Sequence, residues 1–328
     1  MKISILGGSG FLGTNLSKAL HQENISFGIF DVQKSKFFPE KTTIGNICSS
    51  DDLKKIPDSN ILINLAAVHR DDVSNKSLYD EVNVNGSKNV CEYAKKNSIN
   101  HIVFTSSVAI YGFAEPDTGE DGEINYFNDY GRTKYLAEQE YINWYSEDPQ
   151  NRTLTIIRPT VIFGEGNRGN VFNLLNQIHS KKFVMIGDGK NEKSMAYVKN
   201  VVSFIIYCLN LNKGTHIFNY IDKPDLDMNQ LVTRVRNRLF NKNNVGIRLP
   251  KFLGIFIGIV ADIFAKLINR NLPVSHIRVK KFLSTSKFSS SAKDTGFVAP
   301  YSLEEGLDNT IQYEFIDDNK DKITFETE

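Results

Sequence analysis

Cysteine is scarce in this chain: Cys48, Cys91 and Cys208 are the only three in 328 residues, widely spaced and without a CxxC pair. That excludes a disulfide framework or zinc knuckle and fits a reducing cytoplasm. Six histidines show no metal-ligand spacing, so no metal is expected. Net charge is nearly absent, with 39 basic and 38 acidic residues leaving +1. A protein that coats nucleic acid through bulk electrostatics is therefore not expected. The longest uncharged apolar run, Phe252 to Ala261, is half of the roughly 20 residues a helix needs to cross a bilayer. The apolar start of the chain runs into glycines rather than a cleavage site, so no export signal is expected. Repeats and low-complexity linkers are missing as well.

What is present is α/β periodicity. Short β-branched runs at Ile3–Leu6, Ser26–Phe30, Ile61–Leu65, His101–Ser106 and Leu154–Arg158 alternate with helical patterns at Leu12–Gln22, Tyr79–Lys96 and Thr133–Tyr145. This predicts successive βαβ units in a Rossmann-type doubly wound parallel sheet. Val201–Asn210 reads as a buried helix and Thr215–Tyr220 as a further strand returning to that sheet. The expected division is a dinucleotide-binding domain over 1–164 plus about 195–220. A smaller, interleaved substrate domain takes about 165–194 plus 221–328.

Gly7, Gly10 and Gly13 fall between the first strand and the first helix, with Phe11 and Leu12 among them. Missing side chains there let a backbone approach a pyrophosphate at a helix N-terminus. Asp31 follows the second strand about 20 residues on, where an acid binds adenosine ribose hydroxyls and repels a 2′-phosphate. NAD is thus expected rather than NADP, although Lys34 and Lys36 stand nearby. Leu65-Ala66-Ala67 ends the third assigned strand with small residues over which a cofactor can pass.

The strongest chemical signal is FTSSVAIYG followed by Tyr130-Gly131-Arg132-Thr133-Lys134. A Tyr and a Lys at i and i+4 share a helix face, so the ammonium favours the ionised phenol. A group with an ordinary pKa of about 10 becomes a proton acceptor nearer neutrality. These segments resemble the extended short-chain dehydrogenase/reductases, specifically their sugar epimerase and dehydratase branch. The resemblance implies that Ser107, with Ser106 as its neighbouring alternative, acts with Tyr130 and Lys134, the latter two also contacting the cofactor. It also places Thr105 and Pro159 of Arg158-Pro159-Thr160 beside the nicotinamide. Gly45-Asn46-Ile47 stands where the branch usually carries Asp near the adenine, and Asn46, beside Ile47, keeps part of that contact. Sugar dehydratases of the branch have an acidic pair directly after the serine or threonine. Val108 and Ala109 occupy those positions here, leaving 4-epimerisation through a 4-keto sugar, or ketone reduction. A dinucleotide sensor without catalysis is disfavoured because Tyr130 and Lys134 are both present.

Between Met228 and Lys293 there are thirteen basic residues against one acid, Asp262. Within this span lies LPKFLGIFIGIVADIFAKLINR, over about 249–268, whose residues Lys251, Gly254, Gly258, Asp262, Lys266 and Asn269 recur every three or four positions. On a helix they form a narrow stripe and leave a wide apolar face. Two readings follow: a core helix of the small domain, or a helix lying on an anionic membrane surface. Nearly the whole chain resembles membrane-associated 4-epimerases of lipid-linked amino sugars. The stretches that carry this likeness are NLAAVHRDDVSNKSLYDEVNVNG, IIRPTVIFGEGNRGNVFNLL, KSMAYVKNVV, FNYIDKPDLDMNQLV, GFVAPYSLEEGLD, IQYEF and ITFE. It implies an N-acetylhexosamine on undecaprenyl diphosphate, used for bacterial surface polysaccharide (O-antigen) at the cytoplasmic face of the inner membrane, with UDP as the alternative carrier. It further implies a homodimer and places Arg168, Lys193 and Arg278 on the substrate, with His69-Arg70-Asp71-Asp72 at the sugar pocket.

Overall fold

A computed structural model describes residues 1–326 apart from 70–72, 74, 269–275 and 319–321, with the backbone alone for 265–268 and 278. The first half runs β1 (Lys2–Leu6), α1 (Phe11–Gln22), β2 (Ser26–Asp31), β3 (Thr42–Ile44), α2 (Ser50–Leu53), β4 (Ile61–Asn64), α3 (Gly86–Lys96), β5 (His101–Thr105), α4 (Asp129–Ser146) and β6 (Thr153–Pro159). The second half continues with β7 (Val161–Phe163), α5 (Asn170–His179), β8 (Met185–Ile186), β9 (Glu192–Tyr197), α6 (Val198–Cys208), β10 (Gly214–Tyr220) and β11 (Asp222–Asp227). It ends with α7 (Met228–Phe240), β12 (Arg248–Leu249), α8 (Lys251–Ile268), α9 (His276–Leu283) and α10 (Leu303–Ile311).

Every residue of β4 and β6 is buried, as is every residue of β1 after Lys2. Strands buried on both faces need helices on both sides, which is the setting of a parallel sheet. Among the described residues seven strands pair in parallel in the order β10-β6-β5-β4-β1-β2-β3. Helices α3 and α4 cover one face through Val90, Ala94, Ala137, Tyr141 and Trp144. Helices α1 and α6 cover the other through Leu16, Leu20, Val201 and Phe204. The strand order reverses beside β1, so the crevice between the C-terminal ends of β1 and β4 is where ligands bind in such sheets. A three-stranded sheet, β11-β9-β7, adjoins the end of β6.

Each expected strand and helix of the main sheet is present, with informative differences at the ends. Helix α4 starts four residues before the expected Thr133, because the Asn128 side chain accepts a hydrogen bond from Gly131 N at 2.9 Å and caps it. Tyr130 therefore sits in the first turn. The expected helix from Tyr79 opens with a wide π-type turn over Tyr79–Asn85 before α3. Strand β3 is unforeseen: three half-exposed residues carry no period to read. Helix α8 confirms the helical pattern but turns the two glycines of its stripe inward. Gly254 and Gly258 are buried, and a Cβ on Gly254 would lie 2.3 Å from the Ile186 side chain. Its apolar residues Phe252, Phe256, Ile259, Ile263 and Phe264 face outward, so the core-helix reading does not hold.

Phe204 shows how tightly the α6 side is filled. Its ring lies 5.3 Å from Phe218, 5.0 Å from Tyr220 and 5.0 Å from Phe297, centroid to centroid. Phe204→Ala is expected to cost about 3–5 kcal/mol of stability, read as a lowered urea midpoint at unchanged slope.

Candidate functional site

The glycine turn after β1 is shaped by close approaches. Gly7 has φ +76°, and a Cβ on it would lie 2.6 Å from Ala66 N, so only glycine lets the turn pass the end of β4. A Cβ on Gly13 would lie 2.5 Å from Gly8 Cα, so its absence lets α1 close onto the turn. Gly10 differs, since a Cβ there would meet only Gly7 O at 3.6 Å. It caps α1 without a side chain, leaving the first N–H groups of the helix, those of Phe11, Leu12 and Gly13, without a side-chain cap. Such an uncapped, glycine-floored terminus fits a diphosphate.

Asp31 closes β2 beside this turn. Its carboxylate accepts hydrogen bonds from Ser9 N and Gln33 N, both at 2.9 Å. Burial nonetheless raises its pKa above the ordinary carboxylate value, opposed by those N–H groups. Asn64 ends β4, giving its Nδ2 to Tyr141 OH at 2.6 Å and accepting Ala66 N at 3.0 Å, which sets the backbone of Leu65, Ala66 and Ala67 against Gly7. Asn46 is exposed and uses its Oδ1 to accept Cys48 N at 2.9 Å, while Ile47 is buried. Thr105 donates to Asn64 O at 3.2 Å, and Pro159 closes β6.

Ser107 follows β5 and caps a short 3₁₀ turn over Val108–Tyr111, its Oγ accepting Ala109 N at 3.1 Å. A Cβ on Gly131 would lie 2.4 Å from Ala109 O. The glycine of Tyr130-Gly131 is thus what lets the first turn of α4 reach the Ser107 turn. Ser106, the neighbouring candidate, is buried with no hydrogen-bond partner for its Oγ among the described residues. Lys134 is buried one helical turn after Tyr130, its ammonium 4.5 Å from the Phe104 ring centroid. Burial pushes its pKa down to about 7, with Glu138 acting in the opposite sense. A buried donor at that place suits a ribose hydroxyl.

Sequence reasoning missed what lies behind Lys134. Glu138, fully buried, accepts Arg158 Nε at 2.9 Å and Nη2 at 2.7 Å. Arg158 Nη1 donates to Tyr111 OH at 2.6 Å, and Tyr111 OH donates to Asn219 Oδ1 at 3.0 Å. The available signal was Glu138 at i+4 from Lys134. The partners from β6, β10 and the 3₁₀ turn could not be read from spacing.

The structure brings Gly7–Gly13, Asp31, Leu65–Ala67, Ser107, Tyr130 and Pro159 to one edge of the sheet, the C-terminal ends of its strands. The expected substrate cations are engaged elsewhere. Arg168 lies 3.0 Å from Glu314 through Nη1 and stacks 4.0 Å over Phe172, while Glu314 also accepts Gly166 N. Lys193 Nζ donates to the carbonyls of Lys281 at 2.9 Å and Ser284 at 2.5 Å, and burial lowers its pKa to about 8. The side chain of Arg278 and the residues Arg70, Asp71 and Asp72 lie outside the described residues. Among those described, no three His, Cys, Asp or Glu side chains gather as metal ligands.

Residues 3–220 match the NAD dependent epimerase/dehydratase family. The chain is 48% identical over 330 residues to the N-acetyl-alpha-D-glucosaminyl-diphospho-ditrans,octacis-undecaprenol 4-epimerase of Escherichia coli O157:H7, covering 99% of each. In fold it is similar to UDP-N-acetylglucosamine 4-epimerase from Bacillus cereus, with TM-score 0.74, 17% identity, and 97% and 98% coverage. It is likewise similar to MoeE5 in complex with UDP-glucose and NAD, with TM-score 0.73, 20% identity, and 95% and 98% coverage.

Lys134 has a pH signature. Its folded-state pKa, about 7, lies below the ordinary 10.5, so the folded chain binds fewer protons across that window. Stability contributed by this residue therefore rises with pH from 7 towards 10.5, and its burial costs most below 7. Lys134→Met is expected to stabilise the protein near neutrality by roughly 1–3 kcal/mol, an advantage that shrinks under alkaline conditions. Urea midpoints at matched cofactor content check this.

Proposed function

Because the chain belongs to the NAD dependent epimerase/dehydratase family, NAD is its cofactor, and we propose that it inverts carbon 4 of the sugar in N-acetylglucosaminyl-diphospho-undecaprenol, giving the N-acetylgalactosaminyl form. When bound, NAD supplies reversible hydride chemistry at carbon 4. The amides of the Gly7–Gly13 turn hold the diphosphate of the cofactor, and Asp31 takes a ribose hydroxyl. Tyr130 removes the proton of the 4-hydroxyl and returns it after the 4-keto sugar has turned over. Ser107 hydrogen-bonds that oxygen throughout. Lys134 grips the nicotinamide ribose, and its charge keeps the Tyr130 phenol ionisable. With Val108 and Ala109 beside Ser107, no carboxyl group stands there to expel a hydroxyl.

The observation favouring a lipid carrier over UDP is the outward face of α8. Phe256 is 62% and Ile263 56% exposed, and Lys251 on α8 and Lys280 on the neighbouring α9 are exposed as well. A contiguous apolar face is costly in water, while cations beside it suit an anionic lipid surface. None of the described helices is long and apolar enough to cross a membrane, so α8 would lie along it. This reading places a homodimer at the cytoplasmic face of the bacterial inner membrane, serving O-antigen synthesis.

Purified protein offered both substrates is expected to epimerise the undecaprenyl diphosphate-linked sugar, and turnover of UDP-N-acetylglucosamine alone would sink the lipid reading. Tyr130→Phe should lower kcat by about 10²–10⁴-fold with little change in sugar affinity. Phe256→Asp with Ile259→Asp should release the protein from anionic vesicles at an unchanged unfolding midpoint, because both side chains already face outward.

A further inference from the structure

Two phenylalanines on the loop between Ser107 and Tyr130 have no role in the chemistry above. Phe113 and Phe127 are 46% and 44% exposed, yet their rings pair at 5.0 Å between centroids. They stand at the two ends of one loop, 112–128, which runs from the Ser107 turn to the cap of α4. Its neck is narrow: Asn125 N donates to Ile110 O at 3.0 Å, and Gly112, at φ +64°, comes so near Asn125 O that a Cβ would lie 2.0 Å from it. Its tip is stitched to the segment after α9, where Asp117 N donates to Lys287 O at 2.9 Å and Ser289 N to Thr118 O at 3.0 Å. Both rings are thereby fixed three residues from Tyr130 on one side and five from Ser107's turn-mate Val108 on the other.

Helix α9 brings two cations to this pair. Lys280 Nζ lies 5.2 Å from the Phe113 centroid and Lys281 Nζ 4.9 Å from that of Phe127. The same helix packs against α8, and its first residue His276 donates its N–H to Asp262 Oδ2 at 3.0 Å. The two lysines and the two rings thus make one cationic and aromatic patch on the loop that joins the Ser107 turn to α4, and α9 ties that patch to α8. Cations set directly against apolar rings suit the junction of a substrate in which a diphosphate joins a polyprenyl chain to a sugar.

We propose that Phe113, Phe127, Lys280 and Lys281 form the carrier subsite: the lysines take the diphosphate and the paired rings take the first isoprene units. This rests on the lipid-linked reading above and assigns the residues that recognise the carrier rather than the sugar. The rings lie in the path of the substrate, and the exposed pair is covered when it binds.

The test compares N-acetylglucosaminyl diphosphate esterified with a short prenyl chain against the same compound carrying a methyl group, using the full chain loaded with NAD. Wild type should prefer the prenyl ester. The pair Phe113→Ser and Phe127→Ser should lower kcat/KM for that ester about tenfold or more, through KM, while changing the methyl ester less than about twofold. Lys280→Ala with Lys281→Ala should weaken both esters alike. Equal loss on both esters in the phenylalanine variant, or loss on neither, would overturn the subsite. A wild type that ignores the prenyl ester and the undecaprenyl substrate altogether would instead overturn the lipid-linked reading beneath it. Because both rings are exposed, folding should survive, and Phe127→Leu alone, expected to retain most of the preference, guards against a collapsed loop.

Discussion

Beneath the reaction centre a buried carboxylate meets a buried guanidinium. Glu138 on α4 and Arg158 on β6 are both buried and share two hydrogen bonds. Removing one partner of such a pair leaves an uncompensated charge and costs about 3–5 kcal/mol, so the helix carrying Tyr130 and Lys134 is bound to the sheet at one fixed rotation. Arg158 also reaches Tyr111 and the carbonyl of Glu120, and the Glu120 side chain accepts from Asn219 N and Ser291 N. One ionic contact thus coordinates α4, two strands, the turn after Ser107 and the segment beyond α9. Lys134 is buried one turn before Glu138 on the same helix, where its charge is disfavoured by burial and supported by Glu138.

The glycines meet a complementary requirement, since a fixed helix is useful only if the neighbouring backbones can come near it. Gly131 lets α4 touch the Ser107 turn, Gly7 lets the first turn touch Ala66, and Gly13 lets α1 touch that turn. At each position the atom that a Cβ would strike belongs to backbone, which cannot swing aside as a side chain can. The edge of the sheet is therefore assembled from backbone contacts, with the reactive side chains projecting from them.

Strands and helices of the main sheet were readable because their signal is local: a period of two or near four within a dozen residues. The turn glycines, Asp31 and the Tyr130 to Lys134 spacing were readable for the same reason. The start of α4 was missed although Asn128 stands just before it, since a cap competes with many similar polar residues. The engagement of Arg168 and Lys193 was beyond reach. Glu314 lies 146 positions from Arg168, and the carbonyls that hold Lys193 lie 88 and 91 positions away. A cation's spacing from a motif indicates the loop it occupies, while its partner is chosen by tertiary packing.

Helix α8 shows the same limit and also what it conceals. Its pattern distinguishes a narrow stripe of small and polar residues from a wide apolar face, but amphipathic helices ordinarily bury the apolar side. Here the two glycines of the stripe are buried because the backbone comes close: a Cβ on Gly254 would lie 2.3 Å from the Ile186 side chain. Close packing through glycine then forces Phe252, Phe256, Ile263 and Phe264 outward. Rotating the helix to hide them would place bulky side chains against Ile186, where Gly254 now sits. The outward face is therefore set by the glycine packing beneath it, which outweighs the cost of leaving a wide apolar surface uncovered.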